Sequence, residues 1–347
     1  MTASTYRNNK ALIFTLISAM LVTCLFAGLV SGPANIPVSE VPLLLWQNLL
    51  NIENTTSQWM VSVLVDVRLP RLLVGALAGG CLAICGAVMQ GMFRNPLASP
   101  SILGVSSGAS LGAVIAIFLG LATVSVWILP LFAFAGAGLT LFIVYRIASQ
   151  RGHAPISTLL MAGIAMAALN SALSSLILAM SLDSWGVGQS ILYWTMGGLD
   201  GRTWDHVLLI APLAIFGIVL LLRYSRSLDA LLLGEVHASS IGIDVAKTRR
   251  DLLLITSFLV GAAISVCGGI SFIGLVVPHI LRMILGPHHR YLLPASAIGG
   301  ALALVAADLL LRSILPEKTM PLGVITASFG APFFLFLLLR QRRSGKL

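Results

Sequence analysis

Charged side chains are scarce in this 347-residue sequence: they make up 10% of it, with 12 acidic residues against 21 lysines and arginines. A chain so poor in charge and 58% hydrophobic lies far outside the composition of water-soluble domains. Catalytic signatures are missing too. There is no GxxxxGK[ST] phosphate loop, no HExxH, no GxSxG and no pair of intramembrane carboxylates. Their absence argues against ATP hydrolysis by the chain itself and leaves Asp308 as the one acid suited to a proton relay. Cys24, Cys81, Cys85 and Cys267 all fall in apolar runs, with no His or further Cys spaced to complete a zinc site. They read as small packing residues, and no metal site is expected. Asn54-Thr55-Thr56 matches a glycosylation sequon, too short a pattern to carry weight.

What is abundant is long apolar sequence. A bilayer-spanning helix needs about 20 such residues, and the chain offers ten candidate spans, at roughly 11–31, 70–91, 101–121, 125–148, 156–181, 204–223, 252–269, 272–286, 292–312 and 321–340. The expected fold is an all-α polytopic membrane protein forming a single transmembrane domain over 1–347, with its core at 11–340. The first span follows Arg7 and Lys10 and is longer than the roughly 7–15-residue core of a signal peptide, so it reads as an anchor. With the N-terminus inside, only Arg68, Arg71, Arg202, Arg312 and Lys318 of the 21 basic residues fall outside. The basic balance therefore reports orientation, with both termini cytoplasmic, and gives no reason to expect nucleic acid.

Arg68 to Ser110 organises the rest. Pro70 suits a first helical turn, and Gly75, Gly79, Gly80, Gly86 and Gly91 give the helix that follows small-residue faces for close packing. After Arg94, the segment Asn95 to Pro100 cannot stay helical, because its prolines remove donors and restrict the residues before them. This polar hinge reads either as the lining of a transport path or as an interfacial turn. At a constant offset of 182, Cys85-Gly86, Pro96 and Gly104 match Cys267-Gly268, Pro278 and Gly286, suggesting a second copy five spans later and hence inverted halves.

Other stretches fall into place around this one. Ser31 to Asp66, with Trp46, Trp59, Glu40 and Glu53, and Asp183 to His206, with an amphipathic piece at Gln189 to Met196, are expected to rest at the outer interface. In the span after Pro155, Ser157, Thr158, Asn170, Ser171, Ser174 and Ser175 either line a pathway or bond across helices. The largest cytoplasmic insert is 227–250, a short surface helix suited to lipid or to a docking partner, with Lys247, Arg249 and Arg250 closing it. Asp308 and Arg312 stand four apart, a favourable helical pair. His279, His288 and His289 read as loop or packing residues.

Six blocks carry a family resemblance: RLPR at 68–71, GAVMQGMFRNPLASPSILGVSSGA at 86–109, LLMAGIA at 159–165, LGEVHASSIGID at 233–244, GGISFIGLVVPHILR at 268–282 and PLGVITASFGAPFFLFLLL at 321–339. The sequence resembles the bacterial iron-chelate (FecCD-type) permeases of ABC importers for siderophores, haem and cobalamin, and 274–297 is most similar to the haem members. The resemblance implies a type II importer permease of the inner membrane. It would act as a homodimer above two ATP-binding subunits, which carry the ATP and Mg, and below a periplasmic binding protein.

Residue by residue, it implies docking of the binding protein at Arg68, Arg71 and Arg312, and an inner gate at Asn95, Leu97, Ser157 and Thr158. ATPase coupling falls to Leu233, Gly234, Glu235, His237, Ala238 and Gly242. Met89, Met161, Met166 and Asn170 are candidates for a weakly binding pathway wall. The competing class is an ion-coupled secondary transporter, for which Asp308 would be an essential coupling acid. A local helical pair would instead leave Asp308→Asn tolerated.

Overall fold

The computed structural model describes residues 3–32, 34, 36–50, 58–149, 155–314 and 320–343, and within them every regular element is helical. The sequon, Glu53 and Lys318 lie outside those residues. Helix α1 (Ala3–Val30) is followed by α2 (Val41–Leu49) and α3 (Gln58–Ser62), and a π-helical turn at Val63–Arg68 leads into α4 (Leu69–Met92). The hinge ends in a 3-10 turn, Pro100–Leu103, before α5 (Val105–Phe118). Then come α6 (Ile128–Ala148), α7 (Ile156–Met180), α8 (Trp185–Met196) and α9 (Trp204–Arg223). Two short helices, α10 (Ser225–Leu232) and α11 (Glu235–Ser240), precede α12 (Val245–Cys267), α13 (Ile273–Leu285), α14 (His289–Ile314) and α15 (Leu322–Arg343).

Each expected span has its helix: α1, α4, α5, α6, α7, α9, α12, α13, α14 and α15. Among the described residues seven stretches are long and apolar enough to cross a membrane, while α5, α13 and the apolar part of α15 are shorter. Helix α4 is the hub. Its most apolar window is 83% buried, against 11% for α1 and 28% for α7, because α9, α12, α13 and α14 all pack on it. The small residues explain how so many neighbours fit. A β-carbon at Gly79 would collide with the carbonyl oxygen of Gly300 in α14, and one at Gly86 with that of Gly274 in α13. Where lipid is as apolar as leucine, such backbone approach supplies the dispersion contacts that hold helices together.

The chain folds as two inverted halves. Helix α4 packs on α14 and α13, and α12 packs on α6 and α5, while α4 and α12 also meet each other. Exchanging α4-α5-α6 for α12-α13-α14 therefore reproduces the pairing. Arg71 at the start of α4 lies at the same end as the close of α12, where Gly198 N–H donates to Cys267 O (2.8 Å), so the two helices run oppositely. The register differs from the constant offset of 182. That offset sets the hinge against α13, whereas the structural counterpart of the hinge is the shorter turn Gly268–Phe272. Proline and glycine spacing coincided; the helices align only if the connections differ in length.

A second difference concerns the cytoplasmic insert. It forms two helices, and α12 begins at Val245, so Lys247, Arg249 and Arg250 are helical. The cause is an N-cap: Asp244 Oδ1 accepts from Lys247 N–H at 2.9 Å.

Gly86→Ala is expected to lower the thermal midpoint in detergent, with overpacking costing about 1–3 kcal/mol or more. Gly138→Ala, whose added carbon would meet nothing within 4 Å, should leave the midpoint unchanged or raise it. Equal midpoints for the two variants would refute the close-packed interface.

Candidate functional site

The ends of the bundle carry its polar chemistry. At the end assigned outward by the charge pattern, Asp308 of α14 is 1% exposed and sits between two guanidinium groups. Arg71 donates to it through Nε (3.1 Å to each oxygen) and Nη2 (2.7 Å to Oδ1). Arg312 Nε lies 3.1 Å from Oδ2, one helical turn along α14, an ion-pair contact rather than an aligned hydrogen bond. The remaining edge of Arg71 donates from Nη1 to Asp200 Oδ1 (2.6 Å), and this second carboxylate is 57% exposed. Arg68 turns the other way. Its guanidinium donates to the carbonyls of Leu29 (2.5 Å), Val30 (2.8 Å) and Ala34, closing the C-terminus of α1 with a cation as the helix dipole favours. Arg312 adds a bond to Ser31 O (3.2 Å).

The three arginines expected to meet a partner are thus at one end, and each has partners within the chain. Sequence reasoning found the Asp308–Arg312 pair. It missed Asp200 and the bridge from Arg71 to Asp308, because those residues are 237 positions apart and nothing local signals the pairing.

At the hinge, α4 ends at Met92, and Arg94 adopts a positive φ of 50°. Asn95 Oδ1 accepts from Leu97 N–H (2.9 Å), an Asx turn that fixes the chain direction. Asn95 and Ser157 are exposed, Leu97 and Thr158 half-buried. The hinge segment meets α7 further along than these residues, where Gly163 packs on Ile102 and Leu103. The proposed pathway wall divides. Met161 is 72% exposed and Met166 is partly buried against the core. Met89 is fully buried, since α4 is enclosed on all sides, so it lines no path in this conformation. Asn170 is likewise buried, its Nδ2 donating to Thr140 Oγ1 (3.0 Å) and Ser107 Oγ (3.3 Å), and ties α7 to α6 and α5. Two serine-containing recesses remain, one of about 270 Å³ lined by Ser107, Ser110, Ser171, Ser174 and Ser175, the other of about 350 Å³ beside Ser99 and Ser101 of the hinge.

The opposite end presents α10 and α11. Gly234 (φ 116°) and Gly242 (φ 85°) bracket α11 in backbone conformations that other residues resist. Ala238 is buried on α10, while Leu233, Val236 and Ile241 project with 70%, 87% and 58% exposure. Glu235 fastens the tip to α12 through Arg249 (2.6 Å). Asp229 anchors α10 to the start of α14: its Oδ1 accepts from His289 N–H and faces His289 Nδ1, both at 2.8 Å. Burial alone would raise the Asp229 pKa, but these bonds and the imidazole charge outweigh it and lower it. His289 is fully buried, His279 nearly so, and His288 is exposed in the loop before α14.

A helical bundle of two inverted halves, with an arginine cluster at one end and a projecting apolar tip at the other, has the architecture of a transport permease. It superposes on an inward-facing metal-chelate type ABC transporter with a TM-score of 0.83 and 30% identity, covering 95% of this chain and 99% of that one. The FecCD transport family matches residues 20–340, and the chain belongs to that family of ABC importer permeases.

Similar curated proteins differ in cargo. The chain is 47% identical to the cobalamin import system permease protein of Halobacterium salinarum, over 78% of this chain and 72% of that one. It is 44% identical to the Fe(3+) dicitrate transport system permease protein FecD of Escherichia coli (81% and 86% covered). It is 39% identical to the hemin transport system permease protein HmuU of Yersinia pestis (86% and 90% covered).

Removing one partner of a buried ion pair leaves the other uncompensated, at a cost of about 3–5 kcal/mol. Asp308→Asn should therefore destabilise the purified chain, and a double-mutant cycle with Arg71→Gln should give a coupling of about 1–3 kcal/mol. A cycle with no coupling would show that the clamp does not hold α4 to α14.

Proposed function

We propose that this chain is the transmembrane subunit of a bacterial inner-membrane importer. In this reading two copies pair around a central path, receive an iron chelate from a periplasmic binding protein, and are driven by two separate ATP-binding subunits. The observation that carries it is the tip formed by Leu233, Val236 and Ile241. Apolar side chains this exposed, on a glycine-bracketed helix beyond the spans, call for a protein cleft to cover them. Residues 233–242 then form the contact through which closure of the ATPase pair moves the permease, with Asp229 and His289 passing the motion to α14. Alternating access follows as a shift between two states of the bundle.

At the outer end, Arg68, Arg71, Arg202 and Arg312 face only Asp200 and Asp308 within the cluster, leaving an excess of positive charge suited to an acidic binding protein. Arg71 is the member best placed to exchange partners, since Asp200 is exposed and could yield to an incoming carboxylate. The inner gate is assigned to Asn95, Leu97, Ser157 and Thr158, where the hinge and the start of α7 approach the proposed dimer axis. The cargo assigned is haem, on the resemblance of 274–297 to haem permeases; ferric citrate and cobalamin, the cargoes named for similar proteins, are the alternatives. An ion-coupled transporter fits less well. Its coupling acid must exchange its cation with water, and Asp308 is closed off between two arginines.

Purification from the native host in mild detergent should bring down an ATPase subunit with vanadate-sensitive hydrolysis, and Val236→Glu should abolish that capture without lowering the thermal midpoint. A chain that purifies alone under every detergent tried would refute the importer assignment. Affinity for the binding protein should also fall as salt is raised from 50 to 500 mM, as expected for charge-steered docking.

A further inference from the structure

Among the described residues, Arg68 and Arg202 are the arginines of the outer end without a carboxylate within ion-pair distance, and Arg68 spends its guanidinium on three backbone carbonyls. The polar neighbour of Arg202 is His206, with Nη1 3.4 Å from Nε2. His206 Nδ1 faces the backbone N–H (3.2 Å) and the hydroxyl (3.1 Å) of Thr203 at the start of α9, so the contact with Arg202 is a long one to an imidazole and not to a carboxylate. Arg202 Nε is buried without an acceptor, and so is the indole Nε1 of Trp194 nearby on the same wall. Burial lowers the Arg202 pKa from its ordinary value.

Arg202 lines a cavity of about 600 Å³, within the range of ligand-binding pockets. The cavity lies between the C-terminal end of α5, the length of α8 and the start of α15, with Ile117, Val187, Tyr193, Trp194, Met320 and Pro321 in its walls. Aromatic and aliphatic walls with one underused guanidinium suit a flat or bulky apolar body that carries an anionic oxygen group. A lone carboxylate would not need the rings, and an uncharged ligand would leave Arg202 unanswered.

We propose that this cavity is an outer subsite of the permease that takes a carboxylate of the incoming metal chelate on Arg202, with the ligand's apolar face against Tyr193 and Trp194. The assignment rests on the importer reading and adds to it a cargo class: chelates that carry free carboxylates on an apolar body, such as haem, rather than ferric citrate, which has no apolar face, or cobalamin, whose periphery is amide. Arginine suits this role because its planar fork meets a carboxylate with two bonds. Asp200 lines the same cavity, but its Oδ1 is already taken by Arg71 at 2.6 Å.

The full chain in phosphatidylcholine nanodiscs would be titrated with haem and, in parallel, with ferric citrate, following tryptophan quenching; Trp194→Phe identifies the component arising in the cavity. Saturable quenching is expected for haem and not for ferric citrate. Arg202→Gln should weaken it at least about tenfold, the loss of one charge-assisted contact, and Arg202→Lys should restore part of it at an unchanged thermal midpoint. Undiminished affinity in Arg202→Gln would overturn the proposal, as would the absence of haem binding. Equal quenching by cyanocobalamin would also overturn it. If phosphatidylglycerol in the nanodisc abolishes the Arg202-dependent binding, the occupant is a lipid phosphate and the cargo assignment falls. Capture of the ATPase by the same variants reads the importer assignment separately, because it depends on the tip at 233–242 and not on this cavity.

Discussion

A carboxylate can be 1% exposed at the edge of a bilayer only if cations are held against it, and at Asp308 they are. Much of the structure answers to that requirement. Arg71 must leave α4 at the height where α14 presents Asp308, which fixes the axial register of the two most closely packed helices. The glycines then act within that register, since Gly79 and Gly300 lie opposite each other only when the helices are set at this height. The ionic contact chooses the alignment, and the small residues convert it into close packing.

At its other end α14 is tied to α10. His289 opens α14 beside Gly91, near the close of α4, and holds Asp229 of α10. In the proposed importer, a displacement of α10 would act on α14 directly and on α4 through the packing at Gly91.

Architecture was readable from sequence because it rests on local signals. Ten apolar runs, the proline pair at the hinge and the glycines flanking α11 each declare themselves within about 25 residues, and the six family blocks stand in chain order. The hidden features depend on distance in the chain. Asp200 has no mark that assigns it to Arg71, and Met89 reads like any methionine until α4 proves to be enclosed. The repeat was visible in principle, but matching at a constant spacing misaligned it because the two hinges differ in length. Charge counting placed Arg202 on the outer side; only the fold shows that its Nε is buried without an acceptor.

The clamp at Asp308 also bears on how the protein is made. Arg71 emerges from the ribosome 237 residues before Asp308, so at elongation rates of about 5–20 residues per second α4 waits on the order of 10–50 seconds for its counter-charge. During that interval its glycine ridges face lipid or the insertion machinery, and headgroup phosphates are the counter-ions within reach of its arginines. Helix α4 is an early product that a late one completes. The ion pair therefore closes only once α14 has entered the membrane in the correct orientation, and quality-control proteases have until then to recognise an unfinished chain.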